Sequence, residues 1–301
     1  MTSPQDIAVN TELSDAQSHT PPRSEVAVNR WTHRLWKASW FLRRDYTIEF
    51  SYKLSFLMQF IGIFLNVFLF YFMSQLVDGQ SQPALAQYGG DYFAFVLIGI
   101  AFSLYFTIAL SSFAKNLRDA QTTGTLEAML LTPTDMSTII LSSALWDYLF
   151  TTFRVFIYLA VGRFVFNADI GGGNYLGALV VLLLTIIAFS GLGVIAASFI
   201  MVTKRGDPIT TIFGGVGLLL GGVYYPVEML PSWLRVFSAL IPVTYALRAL
   251  RNALLNDAPW SVLLPDIGIL ALFCLILIPL SLFIFSQAVR WAKTDGTLAH
   301  Y

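Results

Sequence analysis

The sequence predicts an all-α integral membrane protein. It should have six transmembrane helices, an N-terminal interfacial amphipathic helix, and short re-entrant helices between spans 5 and 6. Three observations carry this expectation. Hydrophobic residues make up 56% of the 301 residues and charged residues only 12%, whereas about a quarter of an average soluble chain is charged. Mean hydropathy is +0.67. The apolar residues gather in long runs, each near the roughly 20 residues a helix needs to cross a bilayer core of about 30 Å. A closed β-barrel also satisfies its backbone in lipid, but it needs alternating strands of about 10 residues. Runs such as Ile267 to Ile278 do not alternate.

The first 28 residues are polar, with Pro4, Pro21 and Pro22 among several Ser and Thr. They read as a disordered tail without the apolar core of a signal peptide. Residues 29–50 have a different pattern. Trp31, Leu35, Ala38, Leu42 and Tyr46 fall on one helical stripe, with Arg30, Arg34, Lys37 and Arg44 beside it. An apolar stripe flanked by cations describes a helix lying in the membrane interface, with Trp31 at the boundary and Arg34 and Lys37 reaching the headgroups. The alternative is an N-terminal extension of the first span. The six-span domain occupies 51–290. Its spans run about Leu54–Val77, Tyr92–Ala114, Thr138–Val161, Tyr175–Val202, Ile209–Tyr225 (the shortest) and Val262–Ser286. Residues 291–301 form a C-terminal tail.

Orientation follows from Lys and Arg, which favour the cytoplasmic side. The segment before the first span, the loops after the second and fourth, and the C-terminus together hold thirteen of them. The opposite side holds four: Arg163, Arg235, Arg248 and Arg251. Both termini are therefore expected in the cytoplasm, with the chain in the inner (plasma) membrane. Arg235, Arg248 and Arg251 run against the rule, which suits helices that dip into the membrane or lie at headgroup level.

Composition excludes several chemistries. A single cysteine, Cys274, allows neither an internal disulfide nor a thiolate cluster. Three scattered histidines offer no metal site, and zero net charge gives nucleic acid no purchase. The sequence contains no G-x-x-x-x-G-K-[ST] phosphate loop, no H-E-x-x-H and no nucleophile elbow. No cofactor is expected on this chain, and catalysis by it alone is not expected.

Three segments carry candidate function. In the loop Lys115–Ser137, Gly124 suits an N-cap, Glu127 suits the first turn, and Pro133 ends the helix. The resulting short helix has an apolar face of Leu126, Met129 and Leu130. That face fits a partner groove, or else rests on headgroups or neighbouring helices. The outer segment Gly221–Leu255 is too apolar for a free loop and is cut by Pro226, Pro231 and Pro242. Helical pieces that enter the outer leaflet and return are expected there. Glu228 either caps the helix starting at Pro231-Ser232 or faces a conduit. Asp147 and Arg154 lie inside the third span and read as the interior ionisable pair of the chain. They share a helix face about two turns apart, too far for direct pairing. Charges at depth mark either a structural pair with other helices or subunits, or a substrate role. Gly217-x-x-x-Gly221 permits close helix approach, and Gly171–Gly173 reads as a flexible turn.

Together these segments resemble a known family. GTLEAMLLTPTDMSTIIL (Gly124–Leu141) is similar to the cytoplasmic signature of ABC-2 type permeases. The stretch Gly221–Arg251 resembles their C-terminal block, with Gly222, Tyr224, Tyr225 and Pro226, then Leu230, Pro231, Trp233 and Leu234, then Pro242, Thr244 and Tyr245. The resemblance spans about residues 30–290. It implies a permease that dimerises and binds two separate ABC ATPase subunits, which supply the ATP and Mg chemistry. It further implies that Gly124–Pro133 is the coupling helix, with the interfacial helix as a second contact. The pieces around Tyr225–Tyr245 would close the outer end of the path. The expected function is ATP-driven export of an amphipathic small molecule, lipid or glycan. The competing readings are a secondary carrier or channel independent of ATP, which predicts inverted repeats and matching broken helices, and a non-transporting scaffold.

Overall fold

Long apolar runs fold here into long single helices, even where, as in Trp260–Thr294, Pro265 and Pro279 lie inside. A computed structural model describes residues 46–47, 51, 53–76, 83–123, 136–170, 172–203 and 208–294. All of these fall in the second of two units, Ala38–Tyr301. The first, Met1–Lys37, and the rest of the predicted interfacial helix (Trp31, Arg34, Leu35, Lys37 and Leu42 included) lie outside the described residues. The described residues form helices and turns only. The helices are α1 (Lys53–Leu76), α2 (Pro83–Ala86), α3 (Tyr92–Thr122), α4 (Met136–Phe164), α5 (Tyr175–Thr203), α6 (Pro208–Leu220), α7 (Ser232–Ala239), α8 (Pro242–Leu255) and α9 (Trp260–Thr294). A 3₁₀ turn, Val227–Met229, precedes α7.

Helix starts follow side-chain chemistry. Asp91 Oδ1 accepts the Phe93 N–H at 2.8 Å and begins α3, and Asn174 Oδ1 accepts the Gly177 N–H at 2.9 Å and begins α5. Each side chain satisfies an amide that the first turn leaves without an intrahelical partner.

α3 is the centre of the bundle. The apolar stretch that would span the membrane is 83% buried in α3 but only 11% buried in α1. Contacts fix the directions. α3 runs antiparallel to α4, because Leu97 meets Gly162, Tyr105 meets Thr152, and Ser112 meets Asp147. It runs parallel to α5, because Phe106 packs on Phe189 at 4.7 Å between ring centroids and Ala109 packs on Gly193. α5 and α9 are parallel along a seam where Gly177 meets Leu263 and Gly191 meets Leu277. α1 runs parallel to α4 through the ring pairs Phe56–Phe150 and Phe60–Phe153. These directions are those of a chain that crosses and recrosses a slab.

Five helices, α1, α3, α4, α5 and α9, are long and apolar enough to cross a membrane. α7 and α8 meet at 90° and together would make a sixth by length and composition. The stretch expected as the fifth span is shorter than its hydropathy suggested. α6 has 13 residues, about 20 Å of helix, because Gly221 and Gly222 turn the chain. Gly222 has a φ of +77°, a conformation that glycine adopts without a Cβ clash.

Two glycine features are tighter than the sequence suggested. Gly217 packs on the Phe106 ring and Gly221 on Val243, so the G-x-x-x-G face is used inside the chain. Gly173 lies against the Ala253 carbonyl, and Asn174 donates to that same carbonyl at 2.8 Å. At Gly173 a Cβ would not fit, whereas Gly172 has open space around it and Gly171 lies outside the described residues.

Candidate functional site

Prolines divide the segment Gly221–Leu255 into its pieces. Pro231 is the N-cap of α7 and Pro242 the first residue of α8, positions where a missing N–H costs nothing. The carbonyls freed where the helices end are met by hydroxyls. Tyr225 donates to the Leu219 carbonyl at 2.5 Å and Tyr245 to the Ala239 carbonyl at 2.9 Å. Ser238 donates to Leu220 at 2.6 Å, and Thr244 to Ser238 at 2.8 Å. Tyr224 stacks on Phe70 of α1, with centroids 5.7 Å apart, and its carbonyl accepts the Tyr92 hydroxyl at 3.1 Å.

The expected outer-gate residues are thus brought together in part. Tyr224, Tyr225, Pro226, Pro242 and Tyr245 belong to one packed corner over the start of α3. Trp233 is 64% exposed, on a face of α7 that also shows Val236, Phe237 and Leu240. Glu228 is exposed in the 3₁₀ turn, and α7 begins without a side-chain cap at Pro231. Beside this corner a polar cleft of about 330 Å³ opens between Tyr71, Asp91, Tyr92, Phe166 and Asn167.

Arg251 holds the corner together. It is 3% exposed. Its Nε donates to the Phe95 carbonyl at 3.2 Å, Nη1 to Gly222 at 2.7 Å and Nη2 to Val223 at 3.0 Å. The guanidinium carbon lies 3.4 Å from the centroid of the Phe95 ring, a cation–π contact strengthened by loss of water. Gly99 makes the room, since a Cβ there would overlap the Val223 carbonyl and come within 2.5 Å of Arg251 Nη2. One turn earlier Arg248 forks onto Asp266 of α9, with Nε 3.1 Å from each carboxylate oxygen and Nη2 closing the pair. The planar fork matches a carboxylate bidentately. Near the same corner, burial pushes the Tyr88 phenol up to about 12. The Glu228 carboxylate adds to the rise, while Arg251 and Arg248 oppose it.

Asp147 and Arg154 do not meet, as their spacing predicted. Asp147 accepts from the Ser112 hydroxyl and, at 3.3 Å, from Asn116 Nδ2, which ties α4 to α3. Arg154 donates to Gln59 Oε1 and lies 4.7 Å over the Phe150 ring, which ties α4 to α1. The expectation that these two are the interior charges of the chain is corrected by Asp266 and Arg251, each 3% exposed. The sequence held a usable signal. Asp266 lies inside the predicted sixth span, and the segment before it carries Arg235, Arg248 and Arg251, which run against the positive-inside rule. Charges in lipid pair with one another.

The residues expected to form the coupling helix, Gly124, Leu126, Glu127, Met129, Leu130 and Pro133, lie outside the described residues. They connect the end of α3 to the start of α4.

Residues 38–255 match the ABC-2 type transporter family. No curated protein matches the chain. The family match covers well over half of the 301 residues and includes α1 to α8. The chain is a multi-pass integral membrane protein of the permease class, and it belongs to the ABC-2 type transporter family. Members of that family are the membrane component of the transporter and normally work with an ABC ATPase partner.

Proposed function

We propose that the chain is the permease subunit of an ATP-driven exporter. Two copies work with two copies of a separate ATPase, and the cargo is an amphipathic small molecule, lipid or glycan. The observation that carries this reading is the family match over 38–255, in a sequence that has no phosphate-binding loop of its own. Family members normally work with an ABC ATPase partner, and that partner supplies the energy in this reading. Gly124–Pro133 is the coupling helix, with Leu126, Met129 and Leu130 seated in the partner's groove. The interfacial helix around Trp31, Arg34, Leu35, Lys37 and Leu42 makes a second contact.

Helix directions support cytoplasmic termini. The start of α1, the ends of α3, α5 and α9 and the start of α4 share one end of the bundle, which carries Lys53, Lys115, Arg118 and Arg290. The four basic residues of the opposite end are each engaged. Arg163 pairs with Asp169 at 3.5 Å, Arg248 with Asp266, and Arg235 and Arg251 with backbone carbonyls.

The coupling assignment is tested by replacing Leu126 and Met129 with Asp and purifying the permease with its ATPase. Loss of the ATPase from the complex, with the permease still folded, is the expected result. Undiminished co-purification would sink the assignment.

A further inference from the structure

The cleft of about 330 Å³ opens where the end of α1, the start of α3 and the end of α4 converge, at the end of the bundle opposite Lys53, Lys115 and Arg290. The volume is at the small end of ligand pockets. Its walls are held in place. The Ser74 hydroxyl donates to the Tyr71 carbonyl at 2.6 Å. Asp91 Oδ1 accepts the Phe93 N–H, and the Tyr92 hydroxyl donates to the Tyr224 carbonyl. Asn167 has a φ of +55°, a left-handed position in which Asn is favoured among residues with a Cβ. The flanking N–H groups of Phe166 and Ala168 donate to the carbonyls of Val161 and Gly162 at 3.4 and 2.9 Å.

Three groups of the lining are open to a ligand. Among the described residues, the side-chain amides of Gln75 and Asn167 and the second carboxylate oxygen of Asp91 make no hydrogen bond within the chain. An amide offers donors and an acceptor together, whereas a carboxylate only accepts. Phe166, which also lines the cleft, packs on Tyr71 and Phe93 with ring centroids 4.7 and 6.1 Å away. The cleft thus combines an aromatic wall with hydrogen-bonding groups of both kinds. No Lys, Arg or His is among the described residues that line it.

We infer that this cleft is a binding site for an uncharged saccharide unit. A sugar hydroxyl both donates and accepts, so it matches amides and a carboxylate used together, while the C–H face of the ring suits the aromatic wall. A phosphorylated ligand would meet no cation in the lining, and an organic cation would use the acceptors and leave the amide donors idle. The last turn of α1 beside the cleft exposes Phe72 and Leu76, so the sugar is either free or carried on a lipid tail that lies along α1. The inference goes beyond the proposed function and does not depend on which partner supplies energy.

The test is a titration, read by saturation-transfer NMR, of the full chain in phosphatidylcholine nanodiscs with the methyl glycosides of glucose, galactose, mannose and N-acetylglucosamine. At least one of them is expected to bind. Gln75→Ala, and Asn167→Gly, which keeps the left-handed position accessible, should each weaken that binding about threefold or more, as the loss of a hydrogen bond does. Asp91→Asn, which still caps α3, should weaken it too. Gln87→Ala, at an exposed position of the same end but outside the lining, should leave it unchanged. Octyl glycosides of the same sugars separate the two sources. Tighter binding than the methyl forms, with the same losses in the variants, assigns a lipid-borne sugar, and equal binding assigns a free one. Failure of all four methyl glycosides to bind the wild type would overturn the proposal. So would indifference to both Gln75→Ala and Asn167→Gly, an equal loss in Gln87→Ala, or preferential binding of tetramethylammonium. The assay contains no ATPase, so its failure is distinct from failure of the coupling assignment.

Discussion

Arg251 concentrates the energetics of the corner where Gly222 and Val223 meet α3. A guanidinium removed from water is tolerable only when its donors are met, and here three carbonyls from two segments meet them. Arg251→Met strips those carbonyls of their donors, and each buried polar group left unpaired costs about 1–3 kcal/mol. Thermal unfolding in detergent should show a loss of about 3 kcal/mol or more. Gly99→Ala attacks the same network from α3, so the double variant should lose clearly less than the two single losses added together. Strict additivity would mean that Gly99 and Arg251 do not share a site. Tyr88 makes a pH-dependent contribution. Its folded pKa of about 12 exceeds the unfolded value of 10.0, so the fold favours the protonated phenol. That stability is fully present below pH 10 and is lost as pH rises towards 12. Tyr88→Phe should flatten the alkaline slope of stability over that window, and an unchanged slope would contradict the assignment.

Helix contacts show where small residues are required and where they are incidental. Gly193 lies against the Ala109 carbonyl where α5 meets α3, whereas Gly62 and Gly268 have open space around them. Gly193→Ala forces the central helices apart and should cost about 1–3 kcal/mol. Gly62→Ala should be neutral or slightly stabilising, by up to about 1 kcal/mol, because alanine favours helix. Chemical denaturation of both variants checks the contrast. The long helices were legible in the sequence because lipid demands length and apolarity, and both are written locally. The breaks around α7 and α8 were legible from Pro226, Pro231 and Pro242, which interrupt the helices whatever surrounds them. The length of α6 was less clear, since hydropathy continues through Gly221 and Gly222 to Tyr225 while the backbone turns. The Arg251 cradle was not legible at all. Its acceptors are carbonyls of Phe95, Gly222 and Val223, and a carbonyl has no side-chain signature. Asp147 and Arg154 could be placed in a span, but their partners Ser112, Asn116 and Gln59 are neutral residues of a kind found in any membrane helix.

At the scale of the whole molecule, the chain divides into a packed centre and an apolar exterior. α3 is enclosed by its neighbours, while α1 presents Leu57, Leu65, Phe68 and Phe72 outward, and α9 presents Leu272, Leu275 and Phe283. Lipid or a second copy has to cover those faces. In sequence, 124–133 joins the enclosed helix α3 to α4; on the proposed coupling role, a push there would act on α3, whose Phe95 carbonyl meets Arg251. The most direct measurement places a photo-crosslinker at Met129 in the assembled transporter and identifies what it captures. Capture of the ATPase subunit, the one carrying the phosphate-binding loop, with a yield that changes on adding ATP, is the result predicted. An intact complex in which that position reacts only with lipid or with the permease's own helices would contradict the account.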